Sequence, residues 1–104
     1  MINVHASMAD LTLRMEGHAN AERNEHDHDL VCCAASILLQ TLVRSCALYT
    51  GITVAGDADM GRADIRLECV KGAREAAIHR FSMAMDGLEM LAKTYPQSIH
   101  ITRV

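Results

Sequence analysis

The chain has 104 residues, half of them hydrophobic, with only 3% aromatic, no tryptophan and a formal net charge of −3. That length supports one domain spanning 1–104 with a single thin core, filled by Ala, Leu, Ile, Val and seven methionines. Mild acidity without a dense Lys/Arg run argues against direct nucleic-acid binding, which needs cations to neutralise phosphates.

From the N-terminus, Met1-Ile2-Asn3-Val4-His5 has neither the basic region nor the long apolar core of a signal peptide. No run approaches the roughly 18 apolar residues expected of a membrane span, so no membrane partner is expected. The chain reads as cytoplasmic, and in that reducing compartment Cys32, Cys33, Cys46 and Cys69 are expected as free thiols. Ile2 to Ala6 is a weak strand candidate, and Met8-Ala9-Asp10 suits a tight connection. From Asp10 to Glu16, Leu11, Leu13 and Met15 alternate with Thr12, Arg14 and Glu16, which predicts a half-buried strand.

Helical spacing begins at Leu30 and runs to about Tyr49, with Leu30, Ala34, Leu38, Leu42 and their neighbours Val31, Ala35, Leu39 and Val43 forming a broad apolar face. Asp29 fits the N-cap and Gly51 the exit. Gly51 to Ala55 is a second weak strand, and Gly56-Asp57-Ala58-Asp59-Met60-Gly61 has the residues of a hairpin loop. Asp64 to Val70 alternates as a strand. A second helix runs from about Ala73 to Tyr95, its inner stripe Ala77, Phe81, Ala84, Met85, Leu88 and Leu91, and Pro96 stops it. Ile99 and Ile101, alternating with His100 and Thr102, close the chain as a strand. This order predicts an α+β fold: a single antiparallel or mixed sheet of about five strands with two helices packed on one face.

Two elements carry chemistry. Gly17-His18-Ala19 ends a strand, and fourteen positions after His18 Cys32 falls in the first turn of a helix capped by Asp29. The amides and positive dipole end of that turn favour a thiolate over a thiol, and can donate to an oxyanion formed when sulfur attacks a carbonyl. A histidine within reach takes the thiol proton and returns it to the leaving amine. His18 is the candidate, with Asp29 as a possible orienter of the imidazole.

Gly17-His18-Ala19, then a polar loop, then Asp29-Leu30-Val31-Cys32, two small residues, Ala35 and Ser36, resembles the ribosomal-processing cysteine protease Prp family. That family's pattern is Gly-His-Ala followed by Asp-Ile-Val-Cys-Ala-Ala/Gly-x-Ser. The resemblance implies a compact α+β fold, a homodimer and a Cys/His dyad. It also implies a substrate: the N-terminal extension of the large-subunit ribosomal protein whose tail reaches the peptidyl-transferase centre. Cys32 matches the nucleophile and His18 the catalytic histidine, while Asp29 and Ser36 match motif positions in supporting roles. The loop 20–28 is a residue or two longer than the family's, and Asp27 stands where a glycine is expected. The protease reading needs no cofactor and no metal.

Blander readings stand beside these. Cys32 and Cys33 can be small core residues, and Cys46 and Cys69 are expected to be packing residues. Ser36 can be a helix hydroxyl bonded to a preceding carbonyl. His26 and His28 with the two cysteines form a rival metal set, although adjacent helical cysteines diverge too much for a closed zinc site. His5, His79 and His100 are expected on the surface or in the core, and Met83, Met85 and Met90 in ordinary packing. The alternative functions are a non-enzymatic module that pairs through a sheet edge or helix face, and a His/Cys metal sensor.

Overall fold

The computed structural model describes residues 1–17, 29–59 and 62–104. Along the chain run β1 (Ile2–Ser7), β2 (Thr12–Glu16), α1 (Leu30–Ala47), β3 (Ile52–Asp59), β4 (Arg62–Cys69), α2 (Arg74–Thr94) and β5 (Ile99–Arg103). A 3-10 turn, Lys71–Ala73, leads into α2. The strands form one sheet in the order β3-β4-β2-β1-β5. All neighbours are antiparallel except β1 and β5, which are parallel. The fold is α+β with a mixed sheet, as the element order requires.

Alternation decides which face is covered. Val4, Leu13, Ile65 and Leu67 are buried, whereas His5, Arg14, Arg66 and Glu68, one residue away along each strand, face solvent. Both helices pack on the apolar face and against each other, α1 toward β3 and α2 toward β5. Phe81, Met85 and Leu88 of α2 and Leu39 of α1 are fully buried, completing a largely aliphatic core. Gly87 lets the helices approach, since a β-carbon there would stand 2.6 Å from the Leu38 side chain.

Four details differ from the sequence expectation. The segment Gly56–Asp59 is strand, because β3 stays paired with β4 from Ile52 opposite Cys69 to Asp59 opposite Arg62. Gly56 is needed there for a strand reason: its φ is +94°, and a β-carbon would stand 2.0 Å from the Asp64 carbonyl oxygen. Next, β2 starts at Thr12, since Leu11 turns into the left-handed region at φ 53°. Its buried side chain and a 2.9 Å bond from the Leu67 amide to its carbonyl offset that strain.

Third, the inner face of α1 is Val31, Cys32, Ala35, Ser36, Leu39, Leu42 and Cys46, with Leu30 exposed and Ala34 and Leu38 only half-buried. The expected face is therefore rotated toward the cysteine and the serine. Fourth, α1 is long and apolar enough to cross a membrane by length and composition, with a mean hydropathy of 1.7 over its 18 residues. Here one side of it packs on the sheet.

Candidate active site

Gly17, which delivers the chain to His18, has a conformation that other residues resist. Its φ is +103°, and a β-carbon would lie 2.3 Å from the Met1 carbonyl oxygen. Both the torsion and the close backbone approach demand glycine, which gives the first half of the motif a physical reason. Gly17→Ala is expected to lower stability by about 1–3 kcal/mol through strain alone. Thermal unfolding measures this, and an unchanged midpoint would contradict it. His18 itself, with loop residues His26, Asp27 and His28, lies outside the described residues.

The second half of the motif opens α1. Asp29 is the N-cap in extended conformation, and its Oδ1 accepts hydrogen bonds from the amides of Val31 (3.0 Å) and Cys32 (3.1 Å). The Cys33 amide donates to the Asp29 carbonyl at 3.0 Å. Asp29 is buried, and its side chain caps the positive end of the helix. This corrects one sequence expectation. The amides of Val31, Cys32 and Cys33 are engaged, so in this arrangement they are not open donors for an oxyanion.

Cys32 is the third residue of α1 and buried, while Cys33, about 100° farther round the helix, is exposed. Helical side chains lean toward the N-terminus, which carries the Cys32 thiol toward the mouth of the helix. Ser36 lies one turn further on the same buried face, and its Oγ has no hydrogen-bond partner among the described residues. Other helix hydroxyls behave differently: Thr41, Ser45 and Thr94 each donate to a carbonyl one turn back. The bland reading of Ser36 as a back-bonded hydroxyl is thereby set aside. The i, i+4 spacing of Cys32 and Ser36 signals their shared face, but sequence periodicity points to a different one.

The sheet topology brings the two motif halves to one end. Both β2 and β3 are antiparallel to β4, so they run in the same direction. Helix α1 ends beside the start of β3, where the Ile52 amide donates to the Tyr49 carbonyl. Eighteen helical residues span about 27 Å, enough to return the N-terminus of α1 to the end of the sheet where β2 stops. Gly17 and the Asp29–Cys32 turn thus belong to the same end of the fold.

The remaining candidates sort by exposure. Cys46 is a buried packing residue, and burial pushes its thiol above the ordinary range, against smaller opposing pulls from a Ser45 hydrogen bond and the Arg80 charge. Cys69 is half-buried against the core. His5, His79 and His100 are on the surface. Met85 packs in the core, whereas Met83 and Met90 are exposed, which corrects their assignment to ordinary packing. Among the described residues no group of three or more His, Cys, Asp or Glu side chains is arranged to hold a metal.

The chain is similar in fold to several solved structures. The ribosomal processing protease Prp from S. aureus, in complex with a covalently linked product peptide, superimposes with a TM-score of 0.80 at 21% identity, over 100% of both chains. The same protease in complex with a substrate peptide gives 0.76 at 20% identity, again over 100% of both chains. A Streptococcus mutans protein gives 0.71 at 20% identity, over 99% of this chain and 95% of that one. No curated protein sequence matches. The family model described as cysteine protease Prp matches residues 1–100. With nearly the whole chain covered by that match, this protein belongs to the cysteine protease Prp family.

Proposed function

We propose that this protein is a cytoplasmic endopeptidase that removes the N-terminal extension of a large-subunit ribosomal protein, with Cys32 as nucleophile and His18 as general base and acid. The observation that carries the reading is the position of Cys32. It is the third residue of a helix fixed by a buried Asp29 cap, at the sheet end to which Gly17 leads the chain just before His18. A neighbouring histidine is one of the surroundings that ionise a cysteine near neutral pH, and with the first amides of α1 taken up by Asp29 that part falls to His18. His18 takes the thiol proton, the thiolate attacks the scissile carbonyl, and the imidazolium returns the proton to the leaving amine. Water, deprotonated by the same imidazole, then hydrolyses the thioester.

Asp29 and Ser36 support the site. Asp29 holds the turn that presents the thiol, and Ser36 offers a buried hydroxyl on the same face. Family membership and the peptides bound to the solved Prp structures support a peptide substrate. The resemblance also supports a homodimer.

The test is incubation with the ribosomal-protein precursor followed by intact-mass measurement. The wild-type chain is expected to shorten the precursor by its N-terminal extension. His18→Ala is expected to lower the rate by about 1,000-fold or more, with binding little changed. A precursor left intact by the wild-type chain would contradict the substrate, and full activity in His18→Ala would contradict the dyad.

A further inference from the structure

The protease reading leaves one edge of the sheet unused. β3 is an outermost strand, and among the described residues no strand pairs with its free side. The Val70 amide donates to the Gly51 carbonyl at 2.9 Å, and the register then runs unbroken from Ile52 opposite Cys69 to Asp59 opposite Arg62. Antiparallel pairing therefore turns the N–H and C=O groups of Thr53, Ala55 and Asp57 toward β4, and those of Val54 and Ala58 toward the open side. From Gly56 to Asp59 every residue is exposed. An edge of this kind is a template for another extended chain, and natural sheets guard such edges with charge. The guard here has a single sign.

We propose that the open edge of β3 takes up a basic, extended stretch of the polypeptide substrate as a sixth strand, with a Lys or Arg of that stretch beside Asp57. This rests on the endopeptidase reading above and deepens it by naming the part of the substrate held away from the scissile bond. The charges choose the occupant. Across the outer face of the sheet Arg14 stands opposite Asp64, and Asp64 opposite Asp57, which is the last side chain before the open side. Two carboxylates facing each other across a strand pair cost stability, and a cation on the next strand offsets that cost. Another β3 edge supplies none, since β3 has no basic residue. Backbone pairing with Val54 and Ala58 gives the affinity, and Asp57 selects the sign. The edge also ends in the right place. Asp59 pairs with Arg62, and Arg62 with Glu16, the residue before Gly17, so the edge finishes at the end of the sheet that carries the Cys32 turn. With strands about 4.8 Å apart, an added strand lies roughly 15 Å from β2, which four or five extended residues span.

Two measurements on the full-length chain test this. In precursor cleavage, Asp57→Lys is expected to raise KM by about ten-fold while kcat stays within about two-fold. Ala58→Pro removes an outward N–H and no bond to β4, and is expected to raise KM by about five-fold. Glu68→Lys, the same change of charge at the other end of the hairpin, is expected to leave KM within about two-fold, and circular dichroism confirms that all three variants fold. In amide NMR spectra of the isotope-labelled chain, a short alternating lysine–valine peptide is expected to shift the signals of Val54 and Ala58, and an alternating glutamate–valine peptide to leave them in place. Wild-type KM in both Asp57→Lys and Ala58→Pro overturns the edge site, as do an equal rise in Glu68→Lys and equal shifts with the two peptides. A precursor left intact by the wild-type chain contradicts the endopeptidase reading instead, and the amide shifts then decide the edge by themselves.

Discussion

Cys32→Ala is expected to lower kcat/KM for precursor cleavage by about ten-thousand-fold or more, while Cys33→Ala keeps activity within a few-fold of wild type. The contrast is sharp because the two thiols are neighbours in sequence and opposites in environment. Cys32 is buried on the face that carries Ser36, at the turn held by Asp29, whereas Cys33 looks outward from α1. Removing one sulfur atom from a small buried side chain costs on the order of 1 kcal/mol, so a folded but inactive Cys32→Ala protein is the expected state. Precursor cleavage and thermal unfolding, measured on the same preparations, separate lost chemistry from lost structure. Substantial cleavage by Cys32→Ala, or its loss in Cys33→Ala alone, would assign the nucleophile wrongly.

Phe81→Ala is the substitution with the largest expected effect on stability. Phe81 is the only phenylalanine of the chain and is 1% exposed at the centre of α2's inner stripe. The residues completing that core, among them Met85, Leu39 and Leu88, are flexible aliphatics that can close only part of the void. The expected cost is about 3–5 kcal/mol, set against a total stability of about 5–15 kcal/mol for a domain of this kind. The thermal midpoint should fall by about 12 °C or more, and the urea midpoint should fall with little change in slope. A loss below about 1 kcal/mol would show that Phe81 does not anchor the packing of α2 on the sheet.

The order of all seven elements is readable in the sequence because the strands on the wet-faced sheet alternate cleanly and the helices have clear ends. Leu13 and Met15 against Arg14 and Glu16 leave one choice of face, and Asp29 and Pro96 mark helix limits that the structure keeps. The rotation of α1 is not readable, for a physical reason. Leu30, Ile37 and Leu48 give its outer side almost the apolarity of its inner side, so periodicity cannot fix which side meets the sheet. The length of the β3–β4 hairpin is hidden for another reason. Gly56-Asp57 has turn chemistry, but cross-strand pairing with Asp64 and Ile65 keeps it extended.

At the candidate site, the cap, the cysteine position and the glycine are readable from motif and spacing. The engagement of the Val31 and Cys32 amides by Asp29 is not, since a capping aspartate and an open oxyanion donor look the same in sequence. The buried Ser36 hydroxyl, without a hydrogen-bond partner among the described residues, is missed as well, because its burial depends on the rotation of α1.

The most direct measurement of the proposed dyad is the rate of iodoacetamide alkylation below pH 7, read residue by residue by mass spectrometry in wild type and His18→Ala. An ordinary thiol, with pKa about 8.5, is mostly protonated there and reacts slowly. The wild-type chain is expected to label quickly and almost solely at Cys32, and His18→Ala to lose that rapid, selective reaction. Equal Cys32 labelling rates in the two proteins would show that residue 18 does not activate residue 32, and the proposed mechanism would fail.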